Sequence, residues 1–314
     1  TNIKNDKLFI GINEFSKMIT DDVDIIIFSI SGLSALKLSL DIASSRKLVG
    51  LANKECIISL GKRFLATAKK FKTKIVPLDS EHYSIYKLLN LKYSNINSVT
   101  LTASGGPFYN KNLDFIKKAT PRQALKHPVW KMGKKISIDS SNLMNKALEL
   151  IEAMYLFNLK PHQLDVVIHP DSIIHAALNF SDGTSGCLMY KPDMKIPISN
   201  LFNEFEKNLF INEAFKLSHL KNLSFIKINK KKFPAIDLGI KVMKIGGIAP
   251  HVFNYNNELL VNLFLKGKIK YLDIVNFNKI TLNKYFYENK NVSNPSLLSL
   301  NKANKWIDSN LFLG

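Results

Sequence analysis

Between Val23 and Leu78 the chain alternates apolar runs with amphipathic stretches, and that rhythm restricts the fold more than any other feature. Residues 23–30 are a continuous apolar run of strand type, and residues 31–45 carry helical spacing. Residues 48–52 form a second apolar run, 56–71 an amphipathic helix, and 74–78 a third strand. Strands separated by helical crossovers pair in parallel. An open sheet of this kind takes its ligands at the carboxyl ends of its strands. Two polar clusters stand at those ends, Asn53-Lys54-Glu55 and Asp79-Ser80-Glu81.

The rhythm then changes. Residues 98–103 are strand-like and run directly into Ser104-Gly105-Gly106-Pro107-Phe108. Residues 164–169, 173–180 and 184–190 read as antiparallel strands, joined partly by an Asp182-Gly183 turn. Beyond Pro197 come Lys- and Asn-rich helical segments such as 235–244 and 258–265. The expected class is α/β, with a partial Rossmann-like domain over 1–78, an α+β domain over 79–200, and a linker with a helical domain over 201–314. No apolar run reaches membrane-spanning length. The two cysteines, Cys56 and Cys187, lack metal-ligand spacing and suit a reducing compartment. The net charge of +19 raises the question of a nucleic-acid partner. The lysines are spread along the chain among many Asn and Ile, and no nucleic-acid motif accompanies them, which argues against that partner.

Residues 134–153 concentrate the polar chemistry. Residues 136–138 read as a short β-run, Asp139 and Ser140 as helix N-cap types, and Leu143, Ala147, Leu150 and Ile151 recur at helical spacing. Such a strand, turn and helix would aim a helix N-terminus outward, which is an anion site. Asn145 and Lys146 sit in that helix, with Glu149 on the Asn145 face. The plain alternative is a capped amphipathic helix with a solvated polar face.

Asp79 and Glu81 have their own plain alternative, as a cap and a dipole partner at a helix start. If the fold brings Glu149 beside them, three carboxylates converge, each pair repelling by about 4 kcal/mol at 4 Å. Such a cluster needs protons or a cation, and all-oxygen ligation selects Mg²⁺ or Mn²⁺. The Ser104-Gly105-Gly106 turn offers an anion nest or a mere tight turn. Ser140, Asn145 and Lys146 present donors for an anion, with His127 as a further candidate. Trp130 reads as either a core plug or the apolar face of a lid.

Seven motifs occur in order: LANKE (51–55), DSEH (79–82), SGGPF (104–108), HPxWxMGxKI (127–136), DSxxxMNKxLE (139–149), IHPxSIIH (168–175) and PDM (192–194). Together they make the chain resemble the 1-deoxy-D-xylulose 5-phosphate reductoisomerases of the non-mevalonate isoprenoid pathway, from about Val23 to about Asp273. The resemblance implies an NADPH-binding domain, a catalytic domain with Mg²⁺ or Mn²⁺ and a lid, and a C-terminal helical domain, in a homodimer. It implies isomerisation of 1-deoxy-D-xylulose 5-phosphate and its reduction to 2-C-methyl-D-erythritol 4-phosphate, in a bacterial cytoplasm or a plastid. Asp79, Glu81 and Glu149 are then the expected metal ligands. Ser104, His127, Ser140, Asn145 and Lys146 would hold the substrate, mainly its phosphate end, and Lys54 and Ser80 its reacting end. Lys54, Glu81, His127 and Glu149 are the expected catalytic groups. Asn53, Glu55 and Gly133 would meet the cofactor, and Trp130 the lid position.

The sequence departs from that family in three places. The family's opening strand and G-x-T-G-x-x-G loop do not occur, Ser29-Ile30-Ser31-Gly32 stands where a more Gly/Ala-rich turn is usual, and Ala147 replaces a usual Gly. The expectation that follows is weak NADPH binding by these 314 residues alone, with an exposed sheet edge. The competing readings are a non-catalytic remnant that binds sugar phosphate and metal, and a basic nucleic-acid-binding protein.

Overall fold

The computed structural model describes residues 11, 14–30, 32–91, 95–130, 132–211, 213, 215–220 and 222–311. A short helix α1 (Phe15–Met18) precedes β1 (Ile25–Phe28), α2 (Leu36–Ala43), β2 (Leu48–Leu51), α3 (Lys54–Phe71) and β3 (Lys74–Pro77). The three strands form a parallel sheet in the order β1-β2-β3, with Ile25 opposite Leu48 and Leu48 opposite Lys74. This is the expected crossover arrangement. Ser31, where the second helical stretch begins in the sequence, lies outside the described residues. Helix α3 starts because the Asn53 side chain accepts from the Cys56 N–H at 2.8 Å. It buries one face, Ile57, Leu60, Phe64 and Ala68.

After β3 come α4 (Ser80–Leu89), β4 (Ile96–Ala103), the short helices α5 (Leu113–Lys117) and α6 (Pro121–Ala124), then α7 (Lys134–Ser141) and α8 (Met144–Leu156). The chain continues through β5 (Leu164–Ile168), β6 (Ile174–Phe180), β7 (Ser185–Met189), α9 (Lys195–Phe205) and β8 (Ile226–Lys227). Four helices follow: α10 (Ala235–Ile245), α11 (Ala249–Leu265), α12 (Asp273–Glu288) and α13 (Leu297–Asn310). The second sheet has the order β7-β6-β4-β5-β8.

Two expectations are corrected here. Strand β5 does not pair with β6. Strand β4 lies between them, parallel to β5 and antiparallel to β6, because its fully buried Val99 and Leu101 claim the sheet centre. The β6–β7 hairpin does form, with Gly183 at φ 86°. Residues 136–138 are not a strand but part of α7. Their alternation spans three residues, too few to fix a period. Tertiary packing decides instead: Ile138 is buried with Phe108, Phe264 and Tyr271, while Ile136 is exposed. Asp139 and Ser140 are therefore interior residues of α7, not caps, and α8 begins only at Met144. Between the two helices Leu143 takes the left-handed conformation at φ 60°, and this break re-aims the chain into α8.

One apolar cluster runs from Phe28 and Phe64 through Leu148 and Ile151 to Val242, Phe253 and Ile307. Helix α8 lies at its centre, packed against α3, α7, α10 and β5. Helix α10 approaches closely because Gly239 faces Ala147. A Cβ at Gly239 would come 2.8 Å from the Ala147 Cβ. The residue that departs from the usual glycine in α8 thus meets a glycine in its neighbour.

Candidate active site

A cavity of about 280 Å³ opens beyond the carboxyl ends of β3 and β4, between α3, α4, α7 and α8. Eleven of the residues singled out in the sequence line it: Lys54, Asp79, Ser80, Glu81, Ser104, His127, Trp130, Ser140, Asn145, Lys146 and Glu149. Their delivery is local. Lys54 is the first residue of α3, Ser80 and Glu81 open α4, and Asn145, Lys146 and Glu149 lie in the first two turns of α8.

One oxygen from each of Asp79, Glu81 and Glu149 lies within 4.8 Å of the others. Asp79 stands at the N-cap position of α4 but makes no capping hydrogen bond, so the plain capping role fails for it. Its carboxylate pairs with Lys54 instead. The Lys54 ammonium also lies 3.0 Å from Glu149, and Lys146 lies 2.5 Å from Glu81 and 2.6 Å from Glu149. Asn145 donates to Glu149 and accepts from Lys54 at 3.2 Å. Burial alone would lower the Lys54 pKa, but the facing carboxylates of Asp79 and Glu149 hold it well above the usual lysine range. Burial would likewise raise Asp79, yet Lys54 holds it well below the usual carboxylate range. Glu81 is pushed up to about 8 by burial and by the Glu149 carboxylate beside it. Three carboxyl groups thus meet two ammonium groups. The Asp79 Oδ1 atom has no hydrogen-bond partner among the described residues. An orphaned buried carboxylate oxygen within an all-oxygen triad fits a hard divalent cation.

A second group lines the same cavity. His127 Nδ1 accepts from the backbone N–H groups of Val129 at 3.2 Å and Trp130 at 2.8 Å. In the neutral ring the proton must therefore sit on Nε2. Burial lowers the His127 pKa, which favours that neutral form. Nε2 lies 2.9 Å from the Ser104 hydroxyl and 3.1 Å from that of Ser140. Ser104 Oγ also accepts from the Gly106 N–H at 3.3 Å. The one Nε2–H is shared between the Ser104 and Ser140 oxygens, and a hydroxyl that accepts it keeps its own hydrogen for the cavity. Gly106, at φ 58°, permits this approach, since a Cβ there would come 3.0 Å from the Ser140 carbonyl oxygen.

Comparisons with known proteins carry one message. Sequence models of 1-deoxy-D-xylulose 5-phosphate reductoisomerase match residues 2–61, those of its C-terminal domain residues 75–157, and those of the DXP reductoisomerase C-terminal domain residues 189–309. The 1-deoxy-D-xylulose 5-phosphate reductoisomerase of Clostridium novyi (strain NT) is 40% identical over 295 residues, which is 93% of this chain and 76% of the relative. That of Ehrlichia canis (strain Jake) is 43% identical over 270 residues, 85% of this chain and 70% of the relative. The chain belongs to the 1-deoxy-D-xylulose 5-phosphate reductoisomerase family. A crystal structure of DOX-P reductoisomerase in complex with NADPH, fosmidomycin and magnesium superposes with a TM-score of 0.86 at 33% identity, over 96% of this chain and 79% of that one. The Zymomonas mobilis reductoisomerase in complex with NADPH gives 0.84 at 31% identity, over 95% and 78%.

Within this reductoisomerase fold, three expected cofactor residues lie outside the main cavity lining. Asn53 is buried as the cap of α3, its amide donating to the Ile30 carbonyl at 2.7 Å. Glu55 follows in the first turn. Gly133 lines an adjoining cavity with His127, Trp130 and Met132. Sequence reasoning assigned no role to several other lining residues. Thr102, Ser172, His175 and Met194 also face the main cavity, and Ser172 Oγ and His175 Nε2 have no hydrogen-bond partner among the described residues. Ser172, His175 and Met194 stand inside the IHPxSIIH and PDM motifs, which were the signal for them. Behind the carboxylates, buried His82 bonds the Glu149 carbonyl oxygen at 2.9 Å, and its Nδ1 lies 3.5 Å from Glu152. Glu152 shares a face with Glu149 by its spacing of three, so helical periodicity would have found it.

Proposed function

We propose that this chain acts as an NADPH- and divalent-metal-dependent reductoisomerase, converting 1-deoxy-D-xylulose 5-phosphate to 2-C-methyl-D-erythritol 4-phosphate in isoprenoid biosynthesis. The observation that carries this reading is the meeting, in one cavity, of the Asp79–Glu81–Glu149 triad with the Ser104–His127–Ser140 donors. Magnesium and NADPH accompany the solved relatives. Asp79, Glu81 and Glu149 would hold Mg²⁺ or Mn²⁺, which supplies Lewis acidity toward the oxygens of a keto-alcohol. NADPH, the hydride donor, would meet Asn53, Glu55 and Gly133.

Ser104 and Ser140, through their hydroxyls, and neutral His127, through its Nε2–H, orient the phosphate end, and Asn145 and Lys146 support it from the first turn of α8. Lys54 and Ser80 bind the reacting end, beside the Glu81 carboxyl. Trp130, tied to His127 through its backbone N–H, excludes water as part of the lid. We assign residues 1–78 to cofactor binding, 79–200 to catalysis and 201–314 to the linker and helical support. A cytoplasmic homodimer is part of the same reading. Exposed apolar side chains between Phe205 and Ile226, including Ile211 at 90% exposure, support it.

Replacing Glu149 by Gln keeps the shape and removes one charge. The Glu149→Gln chain is expected to bind Mn²⁺ at least about tenfold more weakly than wild type while unfolding at a similar temperature. Mn²⁺ titrations of the two proteins, with thermal melts, check this, and equal affinities would overturn the metal assignment.

A further inference from the structure

Ser140 lies between two residues that are both held from the C-terminal helices. On one side, the Asp139 carboxylate is 1% exposed and accepts from the Asn257 amide of α11 at 2.8 Å. Its other oxygen pairs with Lys135, one turn earlier on α7, at 3.0 Å. Lys135 in turn reaches Asn254, one turn before Asn257 on α11, at 3.5 Å. Two residues a turn apart on α11 thus face two residues a turn apart on α7. On the other side, the Ser141 hydroxyl donates to the Ile138 carbonyl at 2.7 Å. The Tyr271 hydroxyl, 2.9 Å away between α11 and α12, therefore acts as the donor to Ser141. Tyr271 itself is wedged against Phe108 and Phe264.

Burying a carboxylate and several amides at a helix–helix contact, beside a half-buried ammonium, is a poor way to gain stability, since apolar residues of similar size serve at least as well. What such a contact does fix is register, because hydrogen bonds hold one relative position where apolar contacts tolerate several. The position fixed here is that of the last turn of α7, which carries the Ser140 hydroxyl.

We propose that Asn257 and Tyr271 are positioning residues for the phosphate subsite: by gripping Asp139 and Ser141 they set the Ser140 hydroxyl against His127. Neither touches the cavity, and both act through the neighbours of Ser140. This inference rests on the reading of Ser140 as a ligand of the substrate phosphate.

The test is calorimetry of 1-deoxy-D-xylulose 5-phosphate and of unphosphorylated 1-deoxy-D-xylulose on the full chain with Mn²⁺ present. Asn257→Ala is expected to weaken the phosphorylated ligand by about tenfold, the scale of one misaligned hydrogen bond to an anion, and to leave the unphosphorylated ligand and Mn²⁺ unchanged. Tyr271→Phe removes a single hydroxyl and is expected to shift the same ratio in the same direction, which keeps the test open should Asn257→Ala fold poorly. The exchanged pair Asp139→Asn with Asn257→Asp keeps a donor facing an acceptor at unchanged net charge and is expected to recover most of the loss. Unchanged selectivity for the phosphorylated ligand in the folded variants would overturn the inference. A wild-type chain that does not favour the phosphorylated ligand would overturn the phosphate reading, and this inference with it.

Discussion

In the proposed reading Lys146 serves two subsites at once. Its ammonium sits between Glu81 and Glu149, and it lines the same cavity as Ser104, His127 and Ser140. Burial alone would lower its pKa, but the Glu149 and Glu81 carboxylates raise it, so it stays charged and competes with any divalent cation for the same oxygens. Lys146→Ala is therefore expected to have opposite effects on two ligands. Mn²⁺ affinity should rise severalfold as the competing cation is removed. Affinity for 1-deoxy-D-xylulose 5-phosphate should fall by about tenfold or more, the scale of one lost charge-assisted hydrogen bond. Separate titrations of the two ligands decide it, and a loss of both affinities would mean that the side chain serves folding and not the phosphate.

Among the elements, α8 bears the most varied load: its first two turns face the cavity and its flank meets α10. The Gly239–Ala147 contact is a small-residue crossing in which one side must lack a Cβ. Gly239→Ala gains about 1 kcal/mol in helix propensity, but overpacking costs roughly 1–3 kcal/mol, so a net loss is expected. In the Ala147→Gly background the 2.8 Å contact is gone and only backbone contacts of 3.2 and 3.3 Å remain, so the same Gly239→Ala change should cost less by about 1 kcal/mol. Urea unfolding of the four proteins of this cycle measures the coupling. Equal effects in both backgrounds would show that the two helices separate freely. The departure at Ala147 is visible in the sequence, whereas its partner, far along the chain, is visible only once α8 and α10 are packed.

Taken whole, the molecule was readable wherever the signal was local. The apolar runs of β1, β2 and β3 have strand length and helical crossovers, which leaves parallel pairing as the natural outcome. The carboxylates and donors could be named from motifs at strand ends and helix starts, and they do meet in one cavity. What could not be read depended on distant partners. Residues 136–138 became helix because Ile138 packs against Phe108, Phe264 and Tyr271. Strands β5 and β6 parted because β4 enters between them. Asp139 resembles a cap in the sequence because nothing nearby announces Asn257. His82 and Glu152 went unassigned because their site lies behind the ligands and not in the cavity wall.

The central claim is that the proposed metal and phosphate subsites share one cavity and take the two ends of one small molecule. Binding of 1-deoxy-D-xylulose 5-phosphate by the wild-type chain, with and without Mn²⁺ and beside its unphosphorylated form, tests that claim most directly. The account predicts that Mn²⁺ tightens binding of the phosphorylated ligand, and that removing the phosphate weakens it by about tenfold or more at the same Mn²⁺ concentration. Affinity that responds neither to Mn²⁺ nor to the phosphate would contradict it.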